Sequence, residues 1–342
     1  MISRKAYNVI PKAGSIKRLK LLTEDLADPQ SNEVRVAVKA IGLNFADIFA
    51  VFGLYKATPE GQFVPGLEYS GVIDAVGSEV TSVKVGDRVM GVTRFGAYAT
   101  HLNIDSKYVV PIPEAWSFEE GAGLLVQALT AYYGMFELGN LQEGQTMLIH
   151  SAAGGVGIQA VRMAKKKGIF VIGTIGSEKK REFLQTIGAD RIIVRGKDFP
   201  ERLKEALGDR ELNVVMECIG GRILKQGYEI MAPMGRMVVY GSARYAHPGD
   251  RPNIFRLLAK YITRPKIDPQ NMTNENKAVM AFNLIWLYEK AHIMHEIIDK
   301  LNAMNLPAPV VGHTFEMEEL PDALRLFLKG QTTGKVVVKV AS

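Results

Sequence analysis

Between residues 146 and 241 the chain alternates short apolar runs with longer amphipathic stretches. TMLIHS (146–151), FVIGT (170–174), RIIV (191–194), NVVMEC (213–218) and RMVVYG (236–241) are too short for helices and have almost no polar face. That predicts strands covered on both sides. GIQAVRMAKKKG, SEKKREFLQTIG, FPERLKEALG and RILKQGYEIMAP carry helical spacing, and Gly168 and Gly188 close the first two. Five buried strands joined by helices define an α/β chain with a doubly wound parallel sheet of the Rossmann type. ITRPKID (262–268) is read as a sixth strand, with Pro265 arguing against a central position.

The flanks follow other periods. NEVRVAVKAIGLN, SGVIDAVGSEV and DRVMGV, all before residue 93, are β-branched runs punctuated by Gly, Asp and Ser, as in an irregular β domain. SFEEGAGLLVQALTAYYGMFE reads as a helix opened by Ser117 with Glu120 three residues on. NENKAVMAFNLIWLYEKAHIMHEIIDKLNAMN also reads as helical, and the last segment as strand, helix, strand. The division expected is residues 1–122 for the first part of a β-rich substrate domain, 123–268 for the dinucleotide domain, and 269–342 for a C-terminal return that completes the first.

Composition narrows the class. At 342 residues, 47% hydrophobic and 23% charged, the chain suits a globular protein of about two domains. No apolar run approaches the roughly 18 residues of a membrane span. The start, MISRKAYNVIPKAG, lacks the apolar core of a signal peptide, so a cytoplasmic location is expected. The single cysteine, Cys218, excludes an internal disulfide and a multi-cysteine metal site. The net charge of +6 is spread out, and its densest cluster, KKKG at 165–168, falls at a helix end where cations suit the dipole. Nucleic-acid binding is therefore disfavoured.

HSAAGGVGIQ (150–159) carries the strongest chemical signal. It follows an apolar strand and opens a helix, with Ala152, Gly154 and Gly157 at the three small positions of a dinucleotide fingerprint. The backbone of Ala153, Gly154, Gly155, Val156 and Gly157 would then cradle a pyrophosphate at a helix N-terminus. At the end of the second strand an NAD site usually places an acid. Here Thr174, Gly176, Ser177 and Lys180 stand in that region, and Arg195 follows the third strand. Hydroxyls and cations without a carboxylate suit a 2′-phosphate, so NADPH is the cofactor expected. Cys218, Gly241 and Ser242 end the fourth and fifth strands at the ligand-binding edge.

VPGLEYSGVIDAVGSEVTSVKVGDRVMG (64–91), GLNFADI (42–48), AAGGVG and TTGKVVV occur in the order and spacing of the medium-chain dehydrogenase/reductase superfamily, which the chain closely resembles over its length. The resemblance implies a GroES-like catalytic domain beside the Rossmann domain. Zinc-dependent members carry a Cys where Asn44 lies and a His where Leu67 lies, before the shared Glu68, together with a four-cysteine lobe absent here. The chain therefore resembles the zinc-independent quinone oxidoreductase (zeta-crystallin-like) branch. RPKIDPQNMTNENKAVMAFNL (264–284) is similar to the subgroup of vesicle amine transport protein homologues.

The resemblance also implies roles. Tyr55 matches a pocket tyrosine that could donate to a substrate oxygen, while a second family tyrosine is replaced by Phe49. Asn44 matches a position beside the nicotinamide, and Gln127 and Thr130 match positions beside the nicotinamide and its ribose. Asp47 is read as a cap for the following helical turn, and Glu68 as a structural carboxylate. His292 and His295 form an HxxH pair without a third ligand, so no metal is expected. Without a Lewis acid, hydride transfer to an electron-poor quinone or α,β-unsaturated carbonyl is the reaction best served. Three further readings stand beside it: an NADPH-binding scaffold, an RNA- or membrane-associated factor, and an enoyl or alkenal reductase for longer chains. In the last, the segment from Arg244 to Asn305 would cover the pocket. Exposed strand edges around 236–245 would support a homodimer.

Overall fold

The computed structural model describes residues 1–341. Each of the five apolar runs forms a strand: β1 Thr146–Ile149, β2 Phe170–Ile175, β3 Arg191–Val194, β4 Val214–Glu217 and β5 Arg236–Val239. A sixth, β6 Ala278–Ala281, completes a sheet of order β3-β2-β1-β4-β5-β6 in which every neighbouring pair is parallel. The order reverses between β1 and β4, and such a switch opens a crevice at the carboxyl ends of the strands. Met147, Leu148 and Ile149 of β1 are fully buried, as the absence of a polar face demands.

The other unit is a seven-stranded sheet. Its continuous path runs Val311–Glu316, Lys335–Lys339, Glu33–Gly42, Glu68–Val76, Arg88–Val92 and Val109–Pro111, and His101–Asp105 also pairs with Glu33–Gly42. The C-terminal strands thus return to the N-terminal sheet. Where the returning strand begins, the Gly334 amide donates to the Ala153 carbonyl at 2.9 Å, which ties the two units together at the glycine-rich loop. Gly334 sits at φ 68, and a Cβ there would lie 2.4 Å from the Val310 oxygen, so only glycine fits.

Four expectations need correction. ITRPKID is not a strand: Ile262 ends the helix Ile254–Ile262, and irregular backbone follows. The sixth strand lies within the stretch read as one long helix. Asn276, left-handed at φ 49, caps the helix Pro269–Glu275, and AVMA then turns into β6. The parallel sheet thus runs as far as residue 281. Because β6 pairs along β5, the segment near 236 is interior and the edge on that side belongs to Ala278–Ala281. Finally, the helix read from Ser117 breaks into Phe118–Gly121, Leu125–Tyr132 and a π-helical turn Tyr133–Leu138. Among the described residues no helix is long and apolar enough to cross a membrane.

Candidate active site

A cavity of about 980 Å³ occupies the crevice at the carboxyl ends of β1, β2, β4 and β5 and extends to the β-rich unit. The loop after β1 enters it through Ser151, a non-glycine residue held at φ 53. Gly154 is extended and opens the helix Gly155–Lys166 with no side-chain cap and no acid in its first turn. Its leading N–H groups are left for an anion. A Cβ on Gly157 would lie 2.5 Å from the Ala152 Cα, so glycine alone lets the helix start this close to the strand.

The floor of the cavity is a buried polar cluster drawn from four distant segments. Lys335 Nζ donates to Glu68 Oε2 at 2.7 Å and to Asn44 Oδ1 at 3.0 Å. Gln127 Nε2 donates to the same Asn44 oxygen at 2.6 Å, and Glu68 Oε1 accepts from the Val126 amide at 3.0 Å. Burial pushes the Glu68 carboxyl up and the Lys335 ammonium down, while their mutual attraction opposes both shifts. Glu68 is thus structural, as expected, with a lysine as its partner. Gln127 Oε1 is buried without a hydrogen-bond partner, an acceptor left for a ligand N–H. Asp47 Oδ2 accepts from the Asn44 amide at 2.8 Å and from the Tyr98 hydroxyl at 3.1 Å. Burial raises the Asp47 pKa to about 7, against the lowering effect of the Asn44 amide and Lys335.

This floor does not suit zinc. Leu67 and Asn44 offer no strong ligand, and the carboxylate that could bind a cation already holds an ammonium at 2.7 Å. Among the described residues no group of three His, Cys, Asp or Glu side chains is placed to hold a metal. The His295 ring contacts the Lys107 carbonyl at 2.7 Å.

At the opposite end of the cavity lies Arg195. A Cβ built on Gly176 would sit 3.2 Å from Arg195 Nη2, so the guanidinium covers the end of β2 where an NAD site places its acid. Lys180 lines the same end, but its Nζ donates to the Thr332 and Gly330 carbonyls at 2.6 and 3.1 Å. The free cationic face there is mainly that of Arg195. Two expected contacts do not line the cavity. Thr174 is fully buried, with its hydroxyl engaged by Arg195 and His150, and Ser177 stands outside it at the start of the short helix Glu178–Lys180. Asn44, Tyr55, Gln127, Thr130, Ala153, Gly154, Gly155, Val156, Gly157, Gly176, Lys180, Arg195, Cys218, Gly241 and Ser242 all line it. Burial pushes the Cys218 thiol up to about 11, which leaves it a poor nucleophile.

Much of the remaining lining is apolar. Phe49 contributes to it, joined by Ile254, Leu257, Leu258 and Tyr261 of the helix Ile254–Ile262. The Tyr55 hydroxyl donates to Asn283 Oδ1 at 2.7 Å, and burial raises its pKa to about 12, so it stays a proton donor at neutral pH. Sequence reasoning missed Lys335, Asn283, His150 and Glu217. A lysine inside the apolar run GKVVV, with no acid near it in sequence, was the one available signal of a buried ion pair.

An apolar cavity between a dinucleotide cradle and a GroES-type sheet is the arrangement of a medium-chain dehydrogenase/reductase. The alcohol dehydrogenase GroES-like domain family matches residues 30–114, and the zinc-binding dehydrogenase family matches residues 155–281. The chain is 32% identical to the human synaptic vesicle membrane protein VAT-1 homolog over 96% of its own length and 85% of that protein. Against the zebrafish VAT-1 homolog the identity is 33% over 90% of the chain, which spans 64% of that longer protein. Among solved structures, the Escherichia coli quinone oxidoreductase complexed with NADPH superposes with TM-score 0.84 at 26% identity, covering 99% of this chain and all of that one. The CurK enoyl reductase superposes with TM-score 0.84 at 28% identity, covering 99% of each chain. The chain belongs to the zinc-independent, quinone-oxidoreductase-like branch of the medium-chain family, the branch that includes the VAT-1 homologues.

Proposed function

We propose that the chain is an NADPH-dependent reductase that delivers hydride to quinones or α,β-unsaturated carbonyls without a metal. The observation that carries this reading is the cavity floor, where the Lys335–Glu68 pair stands in place of a ligand set, in a cavity that the Tyr55 phenol also lines. NADPH supplies the hydride when bound. The loop 152–157 would hold its pyrophosphate, Gln127 Oε1 a ligand N–H, and Arg195 a 2′-phosphate.

Tyr55 would donate to the acceptor oxygen as charge builds there. Its proton points to Asn283 Oδ1. A 180° rotation of the Asn283 amide turns that partner into a donor and frees the Tyr55 proton for substrate. Asn44, held from both sides by Lys335 and Gln127, keeps the floor rigid and excludes water. The wall formed by Ile254, Leu257, Leu258 and Tyr261 favours a longer apolar acceptor, so an extended enone or alkenal is a second substrate class.

The edge strand β6 is where a second copy would pair, and the single cysteine suits a reducing cytoplasm. Purified protein is expected to oxidise NADPH with an ortho-quinone and with an enone, at rates unchanged by a chelator. Alcohol oxidation that requires added zinc would overturn the proposal.

A further inference from the structure

Beneath the Arg195 end of the cavity lie three buried polar side chains for which the proposed reduction has no use. His150 and Glu217 have fully buried side chains, and Thr174 is fully buried. They stand at the carboxyl ends of three adjacent strands: Glu217 ends β4, His150 follows β1, and Thr174 lies in β2. Arg195 follows β3, with its amide donating to the Ile175 carbonyl at 2.9 Å. A polar row across four strands is costly in a core that apolar residues could fill, unless it holds something in place.

Donor chemistry orders the row. Arg195 Nη1 lies 3.1 Å from Thr174 Oγ1, and a guanidinium can only donate, so the threonine oxygen accepts there. The threonine proton then goes to His150 Nδ1 at 2.9 Å. With Nδ1 accepting, the ring proton sits on Nε2, which faces Glu217 Oε2 at 3.4 Å without a hydrogen bond formed between the two atoms. The other carboxylate oxygen accepts the amides of Ile219 and, at 2.7 Å, Gly220. The reverse tautomer would leave the buried threonine proton without an acceptor and aim a nitrogen lone pair at the carboxylate. Burial, with Arg195 next in weight, lowers the His150 pKa to about 3, in keeping with a neutral ring.

We propose that the buried row Glu217–His150–Thr174 is a positioning device that aims the Arg195 guanidinium across Gly176 and thereby sets the preference for NADPH over NADH. The proposal rests on the NADPH reading above. Lys180 is tied to the 330–332 loop, so the orientation of Arg195 decides how much charge a 2′-phosphate meets. An untethered arginine would sample many rotamers and lose part of that advantage.

Calorimetric titration of the purified protein with NADPH, NADH, 2′,5′-ADP and 5′-AMP tests this. The wild type should favour NADPH over NADH and 2′,5′-ADP over 5′-AMP. Thr174→Val should reduce both ratios by about 5–20-fold, with NADH and 5′-AMP affinities unchanged. Thr174→Ser, which keeps the hydroxyl, should retain the wild-type ratios. His150→Asn should lower them less than Thr174→Val, and it carries the test should the valine variant not fold. Arg195→Met should lower the ratios most, and adding Thr174→Val to it should change nothing further. If NADPH and NADH weaken equally in the variants, or the ratios hold, the row is only core structure and the proposal fails. A wild type with no preference would instead defeat the NADPH reading itself.

Discussion

The two ends of the cavity rest on opposite kinds of buried charge. At the floor, Lys335 and Glu68 meet directly at 2.7 Å, 267 residues apart in the chain and on strands of the β-rich sheet. At the other end, Arg195 donates to a hydroxyl that is bonded to a neutral imidazole, with Glu217 3.4 Å beyond the ring, all from strand ends of one parallel sheet. The first arrangement neutralises its charges on each other. The second leaves the cation exposed to the cavity on one side. Under the proposed reduction, a floor that tolerates a flat uncharged acceptor and an end that attracts an anion would call for this difference.

Breaking the floor should have the largest effect. Lys335→Met leaves Glu68 buried without a counter-ion and should cost about 3–5 kcal/mol in urea denaturation. The double variant Glu68→Gln with Lys335→Met should recover at least half of that loss. Equal losses in both variants would mean that packing, and not charge, governs the floor.

Asp47 sharpens the contrast through pH. Its folded pKa of about 7 lies above the ordinary 3.8, so the native state holds its proton more tightly than the unfolded chain. Stability from this group is therefore present at low pH and falls as pH rises from about 4 to 7. Relative to Asp47→Asn, the wild type should lose on the order of 3 kcal/mol across that window. His150 moves the other way. Its folded pKa of about 3 lies below the ordinary 6.5, so its contribution is full above pH 6.5 and declines on acidification.

Tyr55→Phe separates the ends kinetically. It should lower kcat about 10–100-fold while leaving NADPH affinity unchanged, because the lost proton lies on the acceptor side. The smallest effect expected is from His150→Asn, which should remove about 1 kcal/mol of acid sensitivity between pH 6.5 and 5.5.

How much was legible in sequence differs between the same two regions. The five strands and the glycine-rich loop were readable because period and motif are local: TMLIHS followed by AAGGVG specifies strand, turn and helix within a dozen residues. β6 was not, because AVMA is a four-residue apolar run flanked by helical patterns, and only the left-handed Asn276 separates it from the helix before it. At the site, Asn44, Tyr55 and Gln127 followed from the resemblance. The lysine under them did not, since no local pattern announces a partner 267 residues away. Thr174 was read as a cofactor contact because it ends a strand at the binding edge. Its side chain is fully buried, with the hydroxyl engaged by His150 and Arg195.

The most direct test of the metal-free reductase account is steady-state NADPH oxidation by the purified protein with an ortho-quinone and an enone, each with and without chelator. The account predicts turnover of at least one acceptor, unchanged by the chelator and lowered at least tenfold in Tyr55→Phe. Turnover that disappears with chelator and returns with zinc, or that is indifferent to Tyr55→Phe, would contradict it.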